Sequence, residues 1–226
     1  MDGKVVVVTG ASGALGRVVV EAALARGARV AGLDYAASRI PATANRIALG
    51  DVDLSDAAEA TKAIDAVAAP FGRLDALVYI AGGCAFEAVA EGDPATWQQL
   101  YALNVLTALN ASRAAIPHLA VSASARIVNI GAIGALQAGA GMGAYAASKA
   151  GVHRLTEALA AEWKGKITVN AVLPSIIDTT ANRASMPKAD FAKWVTPQEL
   201  AEVILFLVSD TASAVTGALL PVSGRV

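Results

Sequence analysis

Short apolar runs alternate along the chain with longer segments whose apolar residues recur every three to four positions. The runs at 4–8, 29–33, 47–49, 74–80, 126–130, 166–173 and 218–222 read as strands, most lacking the polar alternation of a half-wet sheet. The segments at 14–26, 56–69, 94–115, 143–163 and 197–209 read as helices. Gly27 stops the first, Pro70 and Gly72 stop the second, and Pro197 sits in the first turn of the last. Strand and helix take turns, which predicts βαβ units and one α/β domain, a doubly wound parallel sheet with helices on both faces. Such a sheet binds its ligands outside the carboxyl ends of its strands. Only 178–195 lacks a period, and it is expected to form a mobile loop over that edge.

Composition narrows the function. Hydrophobic residues make up 55% of the 226 positions, enough for a large core and too many for a disordered chain. The longest charge-free stretch, 127–148, contains Asn129, Gln137 and several glycines, which makes a poor spanning helix. The opening MDGKVVVVTG runs straight into a strand without a leader pattern, so a soluble, cytoplasmic protein with no membrane partner is expected. Lys and Arg number 18 against 19 Asp and Glu, a balance that lacks the positive field of a nucleic-acid binder. One cysteine excludes a disulfide framework, and the two histidines, His118 and His153, are too far apart to suggest a metal centre.

The first strand runs into Thr9-Gly10-Ala11-Ser12-Gly13-Ala14-Leu15-Gly16 and then a helix. A turn that lets a pyrophosphate approach the backbone needs residues without a Cβ, and the helix start adds N–H groups and positive potential. A glycine triplet alone also suits a ligand-free turn; its place between first strand and first helix selects the nucleotide reading for Gly10, Ser12, Gly13, Ala14, Leu15 and Gly16. Asp34 ends the second strand, where a carboxylate accepts both adenosine ribose hydroxyls and repels a 2′-phosphate. NAD(H) is therefore favoured, with NADP(H) left open because Arg39 follows closely. A solvated loop acid is the plainer alternative for Asp34. Asp53 and Leu54 follow the third strand and suit an adenine edge, although Ser55 or Asp56 there equally suits a helix cap.

Tyr145-Ala146-Ala147-Ser148-Lys149 opens a helix, and its first and last residues share a face. An adjacent ammonium favours phenolate and would lower the tyrosine toward working pH, giving a general acid or base. An exposed pair is the ordinary reading of such a turn, and the upstream glycines favour the catalytic one.

These residues together resemble the short-chain dehydrogenase/reductase family along nearly the whole chain. The resemblance rests on TGASGALG at 9–16, Ala81-Gly82, Asn104, YAASK at 145–149, and Pro174 followed by Thr179. It implies a single Rossmann-type domain over 1–226, a nicotinamide cofactor and Tyr145 with Lys149 as catalytic residues. It further implies that Asn104 serves catalysis by shaping its helix around a proton-relay water. Ala81, Gly82 and Pro174 would contact the cofactor, with Ile177 and Thr179 against the nicotinamide amide. A homodimer or homotetramer is expected, because many members are such.

Three positions depart from the common pattern. The middle glycine is at Gly13 with Ala14 following, the usual Asn-Asn-Ala-Gly reads Tyr79-Ile80-Ala81-Gly82, and the position of the catalytic serine holds Ala132. A methyl donates no hydrogen bond, and losing such a donor typically costs about 3 kcal/mol of barrier unless Gln137 or a water replaces it. The quinonoid dihydropteridine reductase branch shares these departures. It also resembles Ala81-Gly82-Gly83, Gly131-Ala132, Gly141-Met142, Val152-His153 and the 178–194 loop with Asn182-Arg183, Ser185-Met186-Pro187 and Trp194. That resemblance implies reduction of a quinonoid dihydropterin by NADH. The alternatives are a ketone, secondary alcohol or 3-oxoacyl substrate, and a nucleotide-binding regulator that has lost catalysis at Ala132. Packing roles are expected for Cys84 and His153, solvent for His118 and Arg17, and core or interface for Trp97 and Trp163. Trp194 and Phe191 suit either the core or a substrate cover, and Ser175, Asp178 and Asn182 are candidates for the acceptor pocket.

Overall fold

The computed structural model of the chain describes residues 1–38 and 42–226. Seven strands form one parallel sheet: β1 (Val5–Thr9), β2 (Arg29–Leu33), β3 (Arg46–Leu49), β4 (Ala76–Tyr79), β5 (Ala125–Ile130), β6 (Ile167–Pro174) and β7 (Leu219–Val222). Their order is β3-β2-β1-β4-β5-β6-β7, with Val6 opposite both Val30 and Ala76. The order reverses direction between β1 and β4, and that reversal opens a crevice at the strands' carboxyl ends. The four valines of β1 are fully buried. Val5 and Val7 feed one core, and Val6 and Val8 feed the other, which explains the unbroken apolar run in the sequence.

Helices α2 (Ala57–Ala68), α4 (Thr107–Leu119) and α5 (Gly143–Glu162) cover the first face, and α1 (Ala14–Ala25) with α7 (Pro197–Val208) covers the second. Asp56 caps α2 by accepting from the N–H groups of Ala58 and Glu59. At α7, Thr196 and Glu199 form a reciprocal capping box around Pro197. Among the described residues no helix is long and apolar enough to cross a membrane.

Two expected elements differ. The helix read at 94–115 is three pieces: α3 (Pro94–Tyr101), a wide π turn at Ala102–Leu106, and α4, which runs past Pro117 to Leu119. A π turn inserts one residue and loosens the hydrogen-bond ladder, and side chains supply the missing donors. Thr107 Oγ1 donates to the Leu103 carbonyl at 2.5 Å, and the buried Tyr79 hydroxyl reaches the carbonyls of Leu103 and Asn104 at 3.4 Å. Tyr79 replaces the family's asparagine and braces this turn. The segment 178–195 is likewise more ordered than a mobile loop. Thr179 caps α6 (Thr180–Ser185), and a parallel bridge between Ile177 and Val195 closes the base of the segment.

Candidate active site

The carboxyl ends of β1 to β4 surround a cavity of about 880 Å³. Gly10 turns the chain there at φ +64°, and a Cβ on it would stand 3.0 Å from the Ala81 nitrogen. A Cβ on Gly16 would stand 2.1 Å from the Gly10 carbonyl oxygen, so α1 packs directly onto its own entry turn. Gly13 precedes α1 without any side-chain cap, leaving the helix start bare beside cavity-lining Ser12, Ala14 and Leu15. Uncapped N–H groups around a glycine cradle fit a pyrophosphate. Ala14 is the first residue of α1 and is exposed, so its methyl is accommodated where a glycine is usual.

Asp34 lies at the end of β2, and its carboxylate accepts from the N–H of Ser12 at 2.8 Å and of Ala36 at 3.1 Å. These bonds fix it at the cavity wall and leave lone pairs for a ribose diol. Arg39 lies outside the described residues. Asp53 also lines the cavity, tied to the Ser55 hydroxyl at 2.7 Å and N–H at 2.8 Å, which hold its carboxyl below the usual range. Leu54 lines the same wall, and Asn110 fastens it by donating to the carbonyls of Leu54 and Ser55 at 3.0 Å.

Ala81 and Gly82 close the other side of the cavity. Asn104, in the π turn, donates to the Gly83 carbonyl at 3.0 Å and Ser148 Oγ at 2.9 Å, while its Oδ1 accepts from the Gly83 N–H at 3.0 Å. Ser148 in turn donates to the Tyr145 carbonyl at 2.8 Å. Asn104 thus ties the glycine loop to the start of α5 and acts through its neighbours. Gly82 must lack a side chain, because a Cβ would meet Asn104 Oδ1 at 2.4 Å and Lys149 Nζ at 3.4 Å.

Lys149 is buried and donates to the Ile130 carbonyl at 2.9 Å. Burial pulls its ammonium down to about 8. The Tyr145 phenol is pushed up to about 12, by burial first and the neighbouring Cys84 second. The expected lowering of the phenol by the lysine is therefore not what this geometry gives. The ammonium donates to the Ile130 carbonyl, and desolvation of the phenolate sets the direction of the shift. At neutral pH Tyr145 is a phenol, a proton donor. The Phe86 ring is exposed and packs against it with centroids 5.7 Å apart.

Ala132 offers no free hydrogen-bond donor to a ligand. Its N–H donates to His153 Nε2 at 3.3 Å, its carbonyl accepts from the Ala135 N–H at 3.1 Å, and its side chain is a methyl. His153 is buried, and burial, then the charges of Arg154 and Lys149, pull its imidazole down to about 4. The unfolded chain therefore binds the extra proton between pH 6.5 and 4, so stability falls as the pH drops through that window. Chemical denaturation at pH 7 and 4.5 should show the wild type losing about 2 kcal/mol more than His153→Gln. Equal losses would mean that the imidazole is not held neutral.

Pro174 ends β6 and Ile177 and Thr179 follow it, beyond β5 from the cavity, and neither they nor Asn104, Tyr145 and Lys149 line it. Thr179 Oγ1 accepts from the Asn182 N–H at 3.1 Å as the cap of α6. The proposed acceptor residues are engaged locally: Ser175 donates to the Ser223 carbonyl at 2.6 Å, Asn182 donates to the Ile177 carbonyl at 2.8 Å, and Asp178 pairs with Arg183 at 2.5 Å. Trp194 is buried in the core and so is not a substrate cover, with Phe191 tilted against it at 4.8 Å. Trp163 packs partly buried against the core, whereas Trp97 is largely exposed. Cys84 is exposed rather than packed, and His118 pairs with Asp65 at 2.7 Å instead of standing free. Sequence reasoning missed Gln99, Leu103 and Thr107, which line the cavity from one helical stripe. Their four-residue spacing beside Asn104 carries that signal.

A family model described as short chain dehydrogenase matches residues 4–190. The galactitol 2-dehydrogenase (L-tagatose-forming) of Cereibacter sphaeroides is 37% identical, over 99% of this chain and 95% of its own. The 2-(S)-hydroxypropyl-CoM dehydrogenase 3 of Xanthobacter autotrophicus is 31% identical, over 99% and 96%. A 3-ketoacyl-(acyl-carrier-protein) reductase from Brucella melitensis, solved in complex with NADH, superposes with a TM-score of 0.87 at 28% identity, covering 99% of this chain and 98% of that one.

Proposed function

Because the chain belongs to the short-chain dehydrogenase family and is an NAD(P)-dependent oxidoreductase, we propose that it reduces a small, flat, already electrophilic acceptor of the quinonoid dihydropterin kind with NADH. The observation that carries this reading is Ala132, whose side chain is a methyl and whose one donor, its N–H, is taken by His153. A carbonyl substrate needs its oxygen held while it is polarised, and Tyr145 is left as the evident side-chain donor. An acceptor that is electron-poor without such help loses little from the missing hydroxyl. The exposed Phe86 ring beside Tyr145 adds a face suited to a flat molecule.

A bound nicotinamide dinucleotide supplies the hydride. The glycine turn and the α1 start would hold its pyrophosphate, and Asp34 would accept from its ribose hydroxyls. Gly82 lines the cavity with no side chain, which leaves room behind it for the buried Lys149 ammonium. Tyr145 gives its proton to the acceptor, and burial keeps its phenol protonated at neutral pH. Lys149, near 8, can take up and release a proton close to working pH.

The preference for NADH rests on Asp34. Asp34→Ala should weaken NADH and relieve the repulsion of a 2′-phosphate, shifting the ratio of kcat/KM values toward NADPH by about a hundredfold. Steady-state kinetics with both cofactors reads this, and an unchanged ratio removes Asp34 as the selector.

A second reading is favoured by the relatives, named as a galactitol 2-dehydrogenase, a 2-(S)-hydroxypropyl-CoM dehydrogenase and a 3-ketoacyl-(acyl-carrier-protein) reductase, matched along nearly all of this chain. In that reading the substrate is a simple ketone, secondary alcohol or 3-oxoacyl group. NADH oxidation with quinonoid dihydropterin, set against a panel of ketones, separates the two. No rate with the pterin and a good rate with a ketone would select the second. The exposed Trp97, Tyr101 and Leu106 give an apolar face for a second copy, in keeping with a homodimer or homotetramer.

A further inference from the structure

We propose that His153 is a positioning residue for the reaction, a buried strut from α5 that sets where the Ala132 segment stands beneath the acceptor. This rests on the reductase reading above. Tyr145, Lys149 and His153 are spaced by four residues and share one face of α5. The last two grip the exit of β5 on either side of Gly131. Lys149 Nζ donates to the Ile130 carbonyl at 2.9 Å, and His153 Nε2 accepts from the Ala132 N–H at 3.3 Å. On the far side the Gly131 N–H donates to the Val172 carbonyl at 2.8 Å, so the peptide is held from both directions.

Gly131 and His153 fit as socket and plug. A Cβ on Gly131 would lie 2.4 Å from His153 Nε2, 2.7 Å from its Cδ2 and 3.1 Å from Leu173 Cδ1. The imidazole therefore occupies the space that any other residue at 131 would fill. Accepting from Ala132 requires an unprotonated Nε2, which the buried neutral ring provides. Ala132 itself is almost wholly buried, and without the ring its N–H would be left unpaired beside a void. Tyr145 and the Ala132 segment frame the place where the acceptor is held. A shift of that segment changes the approach of the acceptor and leaves the glycine cradle, on β1 and α1, where it is.

The test uses the full chain with His153→Leu, which fills the space without an acceptor atom, and His153→Gln, whose carbonyl can take the Ala132 N–H. His153→Leu is expected to lower kcat about tenfold, the loss of one buried hydrogen bond. Its KM for the acceptor and Kd for NADH should stay within about twofold. His153→Gln should restore most of the rate. The amide resonance of Ala132, read by NMR without cofactor, should shift in the Leu variant and stay near its wild-type position in the Gln variant. If His153→Leu does not fold, Gly131→Ala displaces the ring instead and should give the same fall in kcat. A folded His153→Leu with wild-type kcat, or Leu and Gln variants that fall equally, overturns the proposal. A wild type that binds NADH yet reduces no acceptor sinks the reductase reading separately. The Ala132 amide then decides the His153 anchor, with no difference between Leu and Gln variants counting against it.

Discussion

Tyr145→Phe should lower kcat about a thousandfold and leave the affinity for NADH within about twofold. The substitution removes one oxygen. The remaining ring keeps its contact with Phe86, and Ser148 and Asn104 still fasten the start of α5 through the main chain. The loss is large because neither Ala132 nor Lys149 can take over. Ala132 carries a methyl, and its N–H and carbonyl are bonded to His153 and Ala135. Lys149 is buried against Ile130, with its ammonium behind Gly82 rather than in the acceptor's place. Rapid-mixing kinetics with NADH and the preferred acceptor, alongside fluorescence titration of NADH, reads both quantities. A variant that keeps its rate would remove Tyr145 as the proton donor. A variant that loses turnover while cellular function persists would favour a nucleotide-binding regulator instead.

Gly16→Val should abolish measurable NADH binding and destabilise the fold by about 3 kcal/mol or more. A Cβ at this position meets backbone: the Gly10 carbonyl oxygen at 2.1 Å and the Ala11 Cα at 2.8 Å. No rotamer relieves that contact, so α1 must back away from the turn. Its start then leaves the cavity, and Leu15, Val19 and Val20 lose their fit against the sheet. Thermal denaturation and NADH titration of the same preparation test this. A stable variant that still binds NADH would show that the close approach of helix and turn is not what forms the site.

The sequence carried the frame of this molecule clearly because burial on both faces leaves an unmistakable mark. Four consecutive valines in β1 have no reason to exist in a half-wet strand, and each faces one of the two cores. The glycine turn was equally legible, since Gly10 and Gly16 sit where a Cβ strikes backbone. The π turn at Ala102–Leu106 was not, because one inserted residue hardly disturbs the spacing of apolar positions. Its only trace is Tyr79, an odd residue whose hydroxyl braces carbonyls 24 and 25 positions away. The segment 178–195 hid its order for another reason: α6 is short, and the bridge that closes its base depends on a contact between Ile177 and Val195. The direction of the Tyr145 shift was also hidden, because spacing places the lysine on the same face but does not reveal how deeply the phenol is buried.

The claim on which the rest depends is that this site moves a hydride from a reduced nicotinamide while Tyr145 delivers the proton. It is tested most directly in single turnovers with NADH carrying deuterium at both nicotinamide C4 positions, the acceptor that gives the fastest rate, and mass analysis of the oxidised nucleotide. The nucleotide should lose one deuterium in wild-type enzyme, at a rate slowed relative to unlabelled NADH, and no oxidised nucleotide should form with Tyr145→Phe on the same time scale. A wild-type rate that does not change on deuteration, or oxidation by the Phe variant at the wild-type rate, would contradict the account.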